Sequence, residues 1–267
     1  MVRKHVRYWY TAIRYGFKSK IIYRMSAWIS SISGLTTFLI QVMVWKALLG
    51  NGARFDTSLE QMVTYLVVTQ VAVSFVQSFS GDTIARLIKT GDIAIYLVRP
   101  IRLKNHLFLD DFGKNLFSVF CLNLPVCLLL SFSWGFVLPK DSLTVSLTVL
   151  MLINGMVILF HYRYILGLIS FWMLKNPFTS WGVQNAESIF SGKVLPIWLC
   201  PAWLATLTRF LPFRYFTYEP VALFVGKTRP DDAWKILLVQ FLWMALFCIL
   251  EHVLSTRAMR RLIVQGG

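Results

Sequence analysis

The chain has 267 residues, 57% of them hydrophobic and 15% charged, with a mean hydropathy of +0.61. Charged residues usually make up about a quarter of a soluble domain, so this composition excludes a water-facing globule and describes a membrane protein. The 27 Lys and Arg against 12 Asp and Glu, net +15, raise nucleic acid as a partner, but in so apolar a chain they fit basic membrane edges beside anionic lipid.

Residues 1–26 are basic and aromatic throughout and lack the short continuous apolar core of a cleavable signal sequence. At 100° per residue, Val2, Val6, Trp9, Ile13, Phe17 and Ile21 share one face, and Arg3, Arg7, Arg14 and Lys18 an adjacent stripe. That pattern predicts an amphipathic helix lying in the headgroup layer. Lys20 and Arg24 fall in its apolar sector and are expected to snorkel outward where the chain turns into the membrane.

A helix rises about 1.5 Å per residue, so roughly 20 mostly apolar residues cross the hydrocarbon. Six such spans are expected, making this an all-α polytopic membrane protein with one transmembrane domain. Residues 27–79 hold Ala27–Leu49 and Gln61–Phe79, a hairpin across Gly50-Asn51-Gly52-Ala53-Arg54. Residues 80–114 form a basic loop. Residues 115–190 hold the third span, Leu116–Leu138, and after Pro139-Lys140-Asp141 the fourth, about Leu143–Phe160. The fifth is expected to start near Tyr164, beyond a polar turn at His161-Tyr162-Arg163. Lys175-Asn176-Pro177 interrupts it, because proline removes a helix hydrogen bond. A proline-rich outer segment, 191–232, precedes residues 233–267, the sixth span (Trp234–Leu254) and its tail.

Basic residues orient the chain. Arg3, Lys4, Arg7, Arg14, Lys18, Lys20 and Arg24 lie in the first segment, six more in the 80–114 loop, and Arg257, Arg260 and Arg261 in the tail. The hairpin turns assigned outside hold essentially Arg54 and Lys140, which places both termini in the cytoplasm. The basic residues of 191–232 run against this rule, in a segment longer than the loops it reads best.

No enzyme constellation emerges. Val225-Gly226-Lys227-Thr228 ends like a phosphate-binding loop, but Val221 stands where its first glycine belongs. There is no HExxH or GxSxG, and Cys121, Cys127, Cys200 and Cys248 lack metal-ligand spacing, so no metal or catalytic residue is expected. Glu187 is the notable lone acid, since carboxylates are costly inside a span. It reads either as a hydrogen-bonded group near a helix end or as a proton carrier.

In the basic loop, Ile84, Leu87 and Ile88 recur at helical spacing beside Arg86 and Lys89, with Asp82 and Thr83 placed to satisfy the helix's free N-terminal amides and Gly91 to end it. Asp92 to Pro100 is apolar enough to need a partner. This segment reads either as packing beneath its own bundle or as a docking surface for a cytoplasmic protein.

Arg86-Leu87-Ile88-Lys89-Thr90-Gly91-Asp92-Ile93-Ala94-Ile95-Tyr96-Leu97-Val98-Arg99-Pro100-Ile101 resembles a signature in the cytoplasmic loop of bacterial type-2 ABC exporter permeases. Phe171-Trp172, Ser191-Gly192, Pro196, Pro201-Ala202-Trp203, Leu211-Pro212-Phe213, Pro220 and Gly226 resemble a second pattern of the same six-span subgroup. The resemblance covers nearly the whole chain. It implies that Ile84 to Gly91 is a coupling helix docking a separate ABC ATP-binding subunit, with Ile84, Arg86, Leu87, Ile88, Lys89, Gly91, Asp92, Leu97, Arg99 and Pro100 as contacts. It also implies a second permease subunit, identical or homologous, with ATP and Mg bound only by the partner, an elbow helix carrying Arg3, Arg7, Trp9, Arg14, Phe17 and Lys18 among membrane lipids, and the bacterial inner membrane as location. Short re-entrant outer helices carrying Gly192, Pro196, Pro201, Trp203 and Pro212 would form an outer gate. Gln41, Thr69, Gln70, Gln77, Phe171 and Glu187 are expected on the substrate path of a hydrophobic or amphipathic cargo. Lys175-Asn176-Pro177 departs from the family pattern and leaves the angle of the fifth span open.

Overall fold

The computed structural model describes residues 2–22, 24–50, 57–97, 102–127, 135–139, 141–173 and 181–265. The expected contacts Arg99 and Pro100, the break at Lys175-Asn176-Pro177, and the side chains of Arg3 and Leu97 lie outside this description. Among the described residues every regular element is a helix. Three stretches are long and apolar enough to cross a membrane: Leu59–Thr90, Ser142–Ile169 and Pro230–Ala258.

Helix α1 spans Val2–Ile22 and α2 spans Arg24–Gly50. α3 (Leu59–Val76) starts in a capping box, in which the Ser58 hydroxyl accepts from the Gln61 amide and the Gln61 side chain from the Ser58 amide. α4 (Ser80–Thr90) and the short α5 (Ile93–Leu97) follow. α6 covers Leu103–Phe117 and passes into a π-helical turn, Ser118–Asn123. Its start lies 13 residues ahead of the expected third span, so the 80–114 loop is itself largely helical.

α7 (Ser142–Ile169) runs unbroken through His161-Tyr162-Arg163, where a turn and a new span were expected. A helix tolerates three polar residues in a row when each finds a partner off the helix. The His161 ring lies 3.2 Å from the Lys104 amine and 3.5 Å from the Glu251 carboxylate, Tyr162 packs on Phe213, Phe216 and Phe247, and Arg163 pairs with Glu187. The next described helix, α8, is Trp181–Phe190, so nothing restarts at Tyr164. Single turns at Ile197–Leu199 and Phe213–Tyr215 flank α9 (Ala202–Arg209). α10 (Tyr218–Phe224) leads to α11 (Pro230–Gln265), which overruns the expected sixth span at both ends.

α7 is the centre of the bundle and touches α3, α4, α10 and α11. One core joins α2, α3 and the outer segment through Phe38, Val42, Trp45, Met62, Tyr65, Ile197, Tyr218 and Val221. Halfway along α7, the buried Gln240 of α11 donates to the carbonyls of Met151 and Tyr215, at 3.0 and 2.9 Å. The segment after α8 therefore reaches the mid-depth of α7. α11 leaves Leu238, Phe241, Leu242, Leu246 and Ile249 exposed, an apolar face at the rim of the bundle.

Candidate functional site

α4 is the most sharply two-faced helix next to a span. Ile84 and Leu87 are buried, while Arg86, Lys89, Thr90 and Gly91 are exposed. Asp82 in the first turn and Lys89 in the last match the helix dipole. Gly91 ends the helix at φ 78°, a left-handed position that suits glycine. α5 continues away from it, with Ile93 buried and Ala94 and Ile95 exposed.

The expected docking residues therefore divide. Ile84 packs with Leu107, Phe160, Tyr164 and Leu168 inside the bundle, with Ile88 and Phe171 at its edge. These apolar positions seat the helix. Seating is tight where α4 crosses α7: a Cβ on Gly81 would lie 2.6 Å from the Arg163 carbonyl oxygen, and one on Gly167 would lie 2.9 Å from the Gly81 Cα. Arg86, Lys89, Gly91 and the partly exposed Asp92 line the open side, Asp92 accepting from the Thr90 hydroxyl at 2.6 Å.

Asp82 and Thr83 do not cap α4, which starts two residues earlier. The N-cap, Phe79, makes no side-chain cap bond. α6 reaches across instead. Asp111 Oδ2 accepts from the Ser78 hydroxyl at 2.8 Å and from the Phe79 amide at 3.1 Å. One turn on, Asn115 Nδ2 donates to the carbonyls of Phe75 and Gln77, at 2.9 and 2.6 Å. Helix ends leave backbone groups unsatisfied, and an unpaired buried group costs about 1–3 kcal/mol. Asp111 and Asn115, both buried, meet that need on both sides of the 77–79 joint between α3 and α4.

α1 lies against the same helix. Ala12 and Gly16 are buried at the crossing, and the Phe17 ring meets Phe117 edge to face at 5.2 Å. Lys20 does not snorkel outward: its amine sits 5.1 Å from the centre of the Phe79 ring, with Lys114 at 5.9 Å. Trp9, Arg7, Arg14 and Lys18 are exposed. Joint, α6 and α1 thus form one packed unit, of which most of α6 was expected as part of a basic loop. The available signal was Asp111 and Asn115 at i and i+4, with Leu107 one turn before them on the same face.

The expected substrate-path residues do not converge. Gln77 and Glu187 line one polar cavity of about 310 Å³ between α3, α4, α7 and α8. Gln70 contacts Asn123 at 3.5 Å, Thr69 is buried in α3, Gln41 donates to the Val194 carbonyl at 3.4 Å, and Phe171 sits beside the α4 seat. In the outer segment, Gly192 (φ 74°) is wedged between Tyr65 and Tyr218, and its carbonyl accepts from the Tyr65 hydroxyl at 2.7 Å. Pro196 and Pro212 are buried, and Pro201 and Trp203 are exposed.

Glu187, His161 and Glu219 form no common cluster. Glu187 pairs with Arg163 at 2.8 Å, Glu219 with Arg214 at 2.6 Å, and His161 lies within the Lys104–Glu251 group. Among the described residues no group of three or more His, Cys, Asp or Glu is arranged to hold a metal. The profile of the ABC-2 family transporter proteins matches residues 20–266. No match was found among curated proteins or solved structures.

Proposed function

The chain belongs to the ABC-2 family of transporter proteins and is a membrane permease of an ABC transporter, and we propose that it is the six-span subunit of an exporter driven by a separate ATP-binding subunit. The observation that carries this reading is the construction of α4: a helix fixed to its own bundle on one side, open and basic on the other, and tied at the 77–79 joint to the end of α3. α4 is then the coupling helix, with Arg86, Lys89, Gly91, Ala94 and Ile95 as the docking face. ATP and Mg belong to the partner. Closure of a nucleotide-binding pair pushes on α4. Because Asp111 and Asn115 bind the joint, the push displaces α3 and α6 together and opens the interface with a second permease subunit.

The same reading places α1 as an elbow helix in the inner leaflet, with Trp9 in the acyl boundary and Arg7, Arg14 and Lys18 at lipid phosphates. It puts both termini in the cytoplasm of a bacterial inner membrane, and the 191–229 segment as re-entrant outer helices. The cargo is a hydrophobic or amphipathic molecule of the drug, peptide or lipid-like kind. Arg86→Glu combined with Lys89→Glu tests the docking face. The expected outcome is a folded permease that no longer co-purifies with its ATP-binding subunit; undiminished assembly would remove the assignment.

A further inference from the structure

We propose that the cavity bounded by α1, α4, α5 and α6 binds the phosphate of an inner-leaflet lipid, through Lys20 of α1 and Arg86 of α4. The inference rests on the permease reading and adds to it a site apart from the exposed cations of α1. The cavity holds about 380 Å³, at the small end of ligand pockets, a size that suits a head group.

Its charge is one-sided. Three cationic side chains line it, Lys20, Arg86 and Lys114, against one carboxylate, Asp110. That carboxylate is already engaged: its Oδ2 pairs with the Lys114 amine at 2.5 Å, and its Oδ1 is closed off from solvent. His106, the remaining base of the lining, meets the Tyr8 hydroxyl at 3.0 Å. Asp111 lies behind the lining, accepting from the Ser78 hydroxyl and the Phe79 amide; counting it as well still leaves the cations in excess. Among the described residues neither Lys20 nor Arg86 has a carboxylate within ion-pair distance.

Lys20 is where an anion is most needed. It is half-buried, and its amine shares the Phe79 ring with that of Lys114, at 5.1 and 5.9 Å. Burial, and after it the Lys114 charge, lower its pKa from the ordinary lysine value, with Asp111 pulling the other way. A phosphate between Lys20 and Arg86 gives both a charge-assisted partner, which a neutral or cationic group cannot.

The surroundings favour a lipid as its source. Beyond Lys20 the exposed surface turns apolar, with Ile21, Ile22, Met25, Trp28 and Ile29. Cations giving way to outward Trp and aliphatic side chains mark the membrane interface, the depth at which a lipid carries its phosphate. Anionic lipid is concentrated in the cytoplasmic leaflet. A phosphate held here joins α1 to α4 and so fixes the proposed coupling helix to the membrane surface.

The test uses the purified permease with its ATP-binding subunit in decyl maltoside. Dihexanoyl phosphatidylglycerol, dihexanoyl phosphatidylcholine and inorganic phosphate are titrated, with binding read by thermal shift. The phosphatidylglycerol is expected to bind about fivefold tighter than the phosphatidylcholine, the factor one cation near an anionic surface supplies. That preference should disappear in Lys20→Gln, weaken in Arg86→Gln and persist in Lys20→Arg, which separates lost charge from a disturbed fold. Arg102→Gln, which removes a charge from the exposed surface just ahead of α6, should leave it unchanged. Equal binding of the two lipids, or equal losses in Lys20→Gln and Arg102→Gln, would overturn the proposal. Inorganic phosphate competing as well as phosphatidylglycerol would overturn the lipid as ligand. Assembly is scored separately: a complex that assembles without the preference defeats the cavity assignment alone, and failure of the unaltered chain to assemble defeats the permease reading.

Discussion

The two ends of α3 are held by opposite kinds of chemistry. Where α3 gives way to α4, the restraints are directional: Asp111 and Asn115 fix four named groups at 2.6–3.1 Å, and two glycines bring α4 into backbone contact with α7. Towards the start of α3, Tyr65 lies under the outer segment, edge to face with Trp198 at 4.7 Å, and Trp198 in turn packs beside Tyr218. Aromatic layers keep most of their energy over a range of offsets, whereas a hydrogen bond weakens steeply with misalignment. Under the coupling role proposed for α4, the difference suits a part that would transmit a displacement at one end and a part that would rearrange at the other.

Changes at the joint should therefore cost more than equivalent changes outside. The largest effect is expected for Asn115→Ala, which strips the Phe75 and Gln77 carbonyls of their side-chain donor. A loss of about 2–4 kcal/mol follows from two unmet groups, read as a lowered melting temperature in detergent. Asn115→Asp should not restore it, since a carboxylate has no donor to offer. Gly81→Ala comes next: the added methyl meets the Arg163 carbonyl, and overpacking of this kind costs about 1–3 kcal/mol. Cross-linking between cysteines placed on α4 and α7 should slow in that variant while the rest of the fold persists. Tyr65→Phe should be mildest, about 1 kcal/mol for one hydrogen bond to Gly192, seen as faster hydrogen exchange around Gly192. A Tyr65 effect larger than that of Asn115 would reverse the contrast.

Much of the helical pattern was legible because it depends on local composition. α1, α2 and the stop at Gly91 follow from apolar periodicity and from glycine alone, and α3 departs from its expected span mainly at the joint. The failures share one cause. His161, Tyr162 and Arg163 resemble a turn only while their partners, 24 to 90 residues away in the chain, are unseen. Capping is normally local, which points to Asp82 and Thr83, yet the α4 start is met by Asp111 from the helix alongside. Ile84 and Leu87 carry the apolar face of α4 whether it points to a partner or to the bundle; periodicity finds the face and does not say what covers it.

The central claim is that α4 transmits force through a joint held by α6. It is tested most directly by Asp111→Ala in the reconstituted complex, measuring substrate moved per ATP hydrolysed. Intact assembly and continued hydrolysis, with that ratio down at least tenfold and partly recovered by Asp111→Asn, which keeps an oxygen acceptor, is the predicted result. An Asp111→Ala complex that moves as much substrate per ATP as the unaltered protein would contradict the claim.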